Sequence, residues 1–358
     1  FGHRARRRRV RPYRKIKQRY SKKEICRIYC CEVVWMTDFL LLEKLHEMVS
    51  QKRRRRIAFE KGICAKGFFQ PYMSFSGYTR AGLFSDQDIR TPVLARFSSM
   101  MGDWGTADTA RNIKALAVKF DTDDGEYDLL CQSLPVFFSH RWEKLPDIID
   151  AMSKQSLFSG IDSRRFWRFI ADNRESINCA IRLYSVYGIS GSFFDMSWYT
   201  TGTFIWENDS GKKHMVRYRW VPVKKTPGIF ALPREAFKKM DRMSAEFMAG
   251  YDPDIAVDGL REAMNGNGSL SYELQAQIAE QSRDPDDDCI KRTLCWDERI
   301  FPPMALGVMQ LTGAIAAEYD SKICFAPGNT VPGIGLCDDS FSAVSDYICR
   351  VCDTGRMV

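Results

Sequence analysis

A run of short apolar segments with strand character, each closed by Gly, Asp or Pro, most constrains the fold of this 358-residue chain. Residues 67–76, 92–99, 113–121 and 126–138 are short and rich in Phe, Val and Leu, and 204–207, 215–221, 269–281 and 304–312 also read as strands. Asn208-Asp209-Ser210-Gly211 separates two of them as a hairpin turn. Between these runs lie stretches with helical spacing at 38–50, 143–154, 164–187 (two helices, broken near Asp172), 233–249, 253–264 and 340–351. About eight strands with long helical insertions predict an α+β fold, an antiparallel β-barrel with helices against it. No 20–50-residue period repeats, which argues against a solenoid.

Charge divides the chain. The whole carries 53 Lys and Arg against 45 Asp and Glu. Residues 1–23 hold Arg4, Arg6, Arg7, Arg8, Arg9, Arg11, Arg14, Lys15, Lys17, Arg19, Lys22 and Lys23 and no acid, so the remainder, 41 basic against 45 acidic, is near −4. Such a segment repels itself and buries no apolar surface, so it is expected to be unstructured unless bound. Three readings fit it: a solvated or uncleaved targeting segment for mitochondrion or another organelle, a phosphate-binding arm for RNA or an anionic membrane surface, or a dock for an acidic protein. The chain starts at Phe1 instead of Met, as it would if a preceding piece had been removed. The expected layout is a basic arm at 1–25, a connector at 26–37 and one domain at 38–358, in an intracellular protein.

No apolar run approaches the roughly 18 residues of a membrane span. Twelve cysteines are scattered, and only Cys349 and Cys352 form a C-x-x-C pair. One pair with no second pair or spaced histidine is a weak zinc signal, so reduced thiols are expected.

Several segments, in order, resemble the haem catalase superfamily. They are Ala65-Lys66-Gly67-Phe68-Phe69, Thr91-Pro92-Val93-Leu94-Ala95-Arg96-Phe97-Ser98-Ser99, Gly105-Thr106-Ala107-Asp108-Thr109-Ala110-Arg111, Ala117-Val118-Lys119-Phe120, Pro135-Val136-Phe137-Phe138, and Phe325-Ala326-Pro327-Gly328-Asn329 with Pro332-Gly333-Ile334. The resemblance runs from about residue 38 to about 352 and implies the catalase barrel. In length the chain resembles the minimal catalase-related proteins, with no sign of the long wrapping loop and C-terminal domain of large catalases.

Carried over by position, the resemblance puts the family's distal histidine at Phe59 and its distal asparagine at Gln132, with the supporting serine kept as Ser98. It makes Arg56 and Arg96 the propionate-binding arginines and Phe137 or Phe138 the aromatic over the haem. The family's axial tyrosinate falls on Cys349 in a gapless register and on Val351 in another, with Tyr347 two residues from the first. The arginine four residues before it is absent in each register. A benzyl ring cannot move a proton between peroxide oxygens, and His3, His46, His140 and His214 sit in tail, helix or strand-edge contexts that offer no replacement.

The bland readings stand beside these. Arg56 and Arg96 could pair with Asp108 or Asp128, Phe137 and Phe138 could fill core, and Ser98 and Gln132 could be ordinary strand polar groups. From the lost residues the sequence predicts a catalase-fold pseudoenzyme without cofactor, an assembly subunit whose arm grips RNA or an acidic partner, with Phe59 as core packing. The alternative is a haem peroxidase or catalase-related oxidoreductase using Tyr347 or Cys349.

Overall fold

The computed structural model describes residues 43–44, 47–48, 56, 58–102, 105–153, 163–223, 240–265, 268–282, 284, 287–320, 323–337 and 340–356. The basic arm and connector lie outside these residues, as does most of the 38–50 helix, whose described positions are helical.

Ten antiparallel strands form the body: β1 (Gly62–Pro71), β2 (Thr91–Ser99), β3 (Lys114–Thr122), β4 (Gly125–Gln132), β5 (Trp198–Tyr199), β6 (Phe204–Glu207), β7 (Lys213–Pro222), β8 (Leu270–Glu280), β9 (Met304–Ala314) and β10 (Ile334–Leu336). The order β7-β5-β4-β3-β2-β1-β9-β8 closes through a β7–β8 pairing, giving an eight-stranded barrel, while β6 and β10 extend from β7. The predicted barrel is therefore present. Closure leaves these eight strands with no open edge in the ring.

Helices occupy the long insertions. Between β4 and β5 come α1 (Leu145–Met152), α2 (Ser163–Asp172) and α3 (Ile177–Leu183). Between β7 and β8 come α4 (Arg242–Tyr251) and α5 (Ile255–Asn265), then α6 (Ala317–Asp320) after β9 and α7 (Ser340–Arg356) after β10. The break near Asp172 is where expected.

Inward-facing positions fill the barrel with large rings: Phe69, Phe97, Phe120, Tyr127, Trp198, Trp206, Trp220 and Tyr272 are each at most 1% exposed. Phe69 meets Phe84, Phe120 and Trp220 edge-on at centroid separations of 5.5–6.0 Å, the geometry favoured by ring quadrupoles. The interior is packed core, so a ligand of any size must use the outside of the barrel.

Two strands differ most from the sequence expectation. β1 begins at Gly62, five residues early, and crosses Lys66-Gly67 with a register shift against β9. Gly67 is required there: a Cβ would collide with the Gln310 carbonyl and lie 2.8 Å from Leu311 Cα. Gly67→Ala is expected to cost about 1–3 kcal/mol by overpacking, read as a lower urea midpoint at unchanged slope. β4 ends at Gln132 although the apolar run continues to Phe138. The Gln132 side-chain amide donates to the carbonyls of Leu134 (3.1 Å) and Val136 (2.8 Å), turning the chain out of the sheet.

Candidate active site

Strand register assembles one patch on the outer wall. Gly62, Ser98, Ala115 and Gln132 form one row across β1–β4, and Cys64, Arg96, Ala117 and Leu130 the next. Alternate residues share a face, so both rows oppose the interior row of Ile63, Phe97, Leu116 and Cys131. Gly62 belongs here because a Cβ would lie 2.9 Å from Ser98 Cβ and 3.0 Å from Arg96 Cζ. Small residues in the middle and half-buried Ala117, Leu130 and Gln132 at one side make a low shelf.

Phe59 stands at the head of β1 with φ +61°, the left-handed region. A bulky side chain there is a strained outlier costing about 1–3 kcal/mol, held only where the surroundings fix it. They do: its N–H donates to the Met100 carbonyl at 2.8 Å and its carbonyl accepts from Arg96 Nη1 at 2.6 Å. Its ring is half-buried, contrary to the expected core-packing role.

Arg96 is 2% exposed. Its Nε and Nη2 grip the two carboxylate oxygens of Asp320 at 2.6 and 3.2 Å, and Nη2 also donates to the Glu60 carbonyl at 3.0 Å. Arg56 Nη2 donates to the carbonyls of Asp320 (3.1 Å) and Ile323 (2.7 Å). Arg96 is thus engaged in an internal ion pair with Asp320. The expected partners are also different: Asp108 pairs with Lys61 at 2.9 Å and Asp128 with Lys119 at 3.0 Å. Lys61 and Asp320, both central, escaped the sequence reading because their partners are remote in the chain.

Asp320 is shaped by opposing influences. Burial pushes its carboxyl pKa up, but Arg96, the Cys64 thiol and Arg56 outweigh burial and hold it below the ordinary carboxylate value. Burial first, then Asp320, push the Cys64 thiol far above its usual range, so it is no nucleophile.

Gln132 has both amide hydrogens committed to carbonyls. Both partners are acceptors, which settles the orientation of the amide. What Gln132 can offer a ligand is an acceptor oxygen, not a donor. Ser98 is buried within the shelf. Phe137 is buried, edge-on to Phe138 (5.7 Å) and to Phe341 of α7 (5.5 Å). His140 pairs with Glu175 at 3.1 Å and takes no part.

α7 is anchored by a chain of polar contacts. Asp128 on β4 accepts from the Ala326 N–H and the Asn329 amide, both at 2.8 Å. Asn329 accepts from Arg350 at 2.9 Å, and Asp346 accepts from the Gly328 N–H (2.8 Å) and Arg350 (2.7 Å). The buried ridge of α7 runs through Phe341 and Ile348. At roughly 100° per residue, Tyr347 and Cys349 flank Ile348 on opposite sides, and both are half-buried. They cannot serve one position together. Arg350, the nearest cation to Cys349 in sequence, is exposed and spent on Asp346 and Asn329. The side chain of Val351 lies outside what is described. Cys64, Cys131, Cys179, Cys289 and Cys295 are free thiols, and no metal-ligating cluster occurs among the described residues.

Fold and site together define an antiparallel-barrel protein with a patch of small residues on its outer wall and a helix, α7, that carries a phenol and a thiol. Comparison with known proteins makes this specific: the chain belongs to the catalase family, whose model matches residues 17–343. It is 32% identical over 85% of its length to Catalase-2 of Bacillus subtilis and 33% identical over 86% to a catalase of Methanosarcina barkeri, spanning 44% and 59% of those proteins. It is 31% identical over 86% of its length to the bromoperoxidase-catalase of Streptomyces venezuelae, spanning 62% of that chain. A solved bacterial catalase superposes with a TM-score of 0.75 at 25% identity, covering 90% of this chain and 60% of that one. Catalase A of Saccharomyces cerevisiae gives a TM-score of 0.78 at 23% identity, covering 91% and 66%.

These relatives overturn two expectations. Proteins named catalase at about 30% identity over most of the chain point to a catalase-type enzyme, not a structural subunit that has left catalysis. Membership of a haem family likewise replaces the expectation of no cofactor. The residues fit haem by donor chemistry: Tyr347 and Cys349 on α7 supply a phenol and a thiol, side-chain types that can hold haem iron. Among the described residues no helix is long and apolar enough to cross a membrane.

Proposed function

We propose that the protein is a haem-dependent peroxidase or catalase-related oxidoreductase, acting on a peroxide without proton transfer by residue 59. The observation that carries this reading is the locked placement of α7, which holds two iron-donor side chains beside its buried ridge through the Asp128–Asn329–Arg350–Asp346 contacts. Bound haem would supply a redox-active iron able to cleave a peroxide O–O bond.

Tyr347 is the preferred donor. It has the oxygen-ligand chemistry of the family tyrosinate and a ring long enough to reach out from the helix edge. Cys349 would need a cation to hold a thiolate, and Arg350 is already paired. On the other side Phe59 excludes water and Gln132 presents an acceptor, so neither gives the peroxide a donor. Arg96 holds the backbone of Phe59 in place.

Titration of the purified protein with hemin tests this. One equivalent is expected to bind and give a Soret band. Tyr347→Phe is expected to shift that band and weaken binding by tenfold or more, whereas Cys349→Ser leaves both unchanged. The reverse pattern moves the ligand to Cys349. Failure to bind stoichiometric haem refutes the proposal.

A further inference from the structure

A second recess lies away from the barrel shelf. Residues between β2 and β3 and on or beside the helices α1–α3 line a partly open cavity of about 230 Å³. Met101, Met152, Phe166 and Leu183 give it apolar walls, and the Tyr184 ring and Arg111 complete it. The Arg111 guanidinium lies over the Tyr184 ring, 4.9 Å from its centroid. Its Nη1 donates to the carbonyls of Leu183 (2.7 Å) and Ser185 (3.2 Å), which fixes the fork. Among the described residues no carboxylate pairs with Arg111, and its Nε–H and Nη2–H groups have no acceptor.

We propose that this cavity binds a small amphipathic monocarboxylate, an aryl or short alkyl acid. A half-buried guanidinium with unspent donors calls for a planar anion that can take two parallel hydrogen bonds. Methionine, phenylalanine and leucine walls call for an apolar body, and burying a dianionic phosphate among them would cost its hydration with one cation in return. Size narrows the class: an apolar cavity of about 150 Å³ accommodates benzene, so this one holds a ring or short chain plus a carboxylate. The ligand would also touch the distal region. Met101 is clasped by Asn112 through its N–H (3.3 Å) and carbonyl (2.6 Å), and the adjacent Met100 carbonyl accepts from Phe59. The binding site itself does not depend on the haem reading.

Isothermal titration of the full chain with 3-phenylpropanoate, and separately with its neutral amide, tests the assignment. The acid is expected to bind saturably with a Kd of about 1 mM or better, and the amide at least tenfold more weakly. Arg111→Gln is expected to remove this preference, Arg111→Lys to keep part of it, and Ala110→Leu, which adds bulk to the cavity lining, to abolish binding with an unchanged melting curve. Because Arg111 also supports two carbonyls, the acid–amide comparison on the unmodified protein stands if the arginine variants do not fold. No saturable binding of the acid, equal binding of acid and amide, or wild-type affinity in Ala110→Leu would each overturn the proposal.

Discussion

Phe59→His is expected to raise the hydrogen peroxide turnover of the haem-loaded protein about a hundredfold. A positioned general base contributes roughly 10²–10⁴-fold. The lower end applies here because both amide hydrogens of Gln132 are held by Leu134 and Val136, leaving no donor to work with the new imidazole. Residue 59 should accept the change. Its φ is +61°, and histidine occupies the left-handed region more readily than a bulky apolar residue does. The fixing contacts, to the Met100 carbonyl and from Arg96, are both made by backbone atoms of residue 59 and survive substitution. Adding Gln132→Asn should raise turnover further, because the shorter amide cannot span both carbonyls and is released as a donor. The measurement is peroxide consumption per bound haem. An unchanged rate in a variant that binds haem fully would show that the missing base is not what limits this chain.

The barrel was legible in the sequence because closure needs eight segments that alternate or run apolar, and the long strands do so. β5 and β10, at two and three residues, carry no pattern to read. β4 was overextended because Leu134, Val136 and Phe137 report burial, which a chain leaving the sheet satisfies as well as a strand does. The site was half legible. Phe59 could be identified by position, but nothing in the residue itself announces a left-handed backbone. The pairing of Arg96 with Asp320 spans 224 residues, beyond any local spacing rule, so the arginine was assigned to a ligand or to nearer acids. The inference from a lost histidine to a lost enzyme failed because one side chain reports one proton-transfer step. It says nothing about the shelf or about the donors on α7.

Arg96→Ala is expected to destabilise the protein by about 3–5 kcal/mol, because removing one partner leaves a buried charge uncompensated. Here the uncompensated group is Asp320, 3% exposed, with the Cys64 thiol at 2.9 Å and the Arg56 side chain bonded to its carbonyl as its remaining partners. The substitution also removes the donors to the Phe59 and Glu60 carbonyls, so the strained residue 59 loses one of its two restraints. Asp320→Asn should cost less, since the amide oxygen still accepts from the guanidinium. The two variants separate in acid. The Asp320 carboxyl is held below its unfolded value, the effect of burial being outweighed by Arg96, Cys64 and Arg56. Its stabilisation is therefore complete above the ordinary aspartate pKa of about 3.9. It is lost as pH falls through the lower folded value. The unmodified protein should lose this contribution below about pH 4, while Asp320→Asn should show no such loss in that window. Urea midpoints measured across that range decide it. If Arg96→Ala melts like the unmodified protein, the guanidinium is not the pin that holds the distal backbone, and the position of Phe59 must be set by the Met100 contact alone.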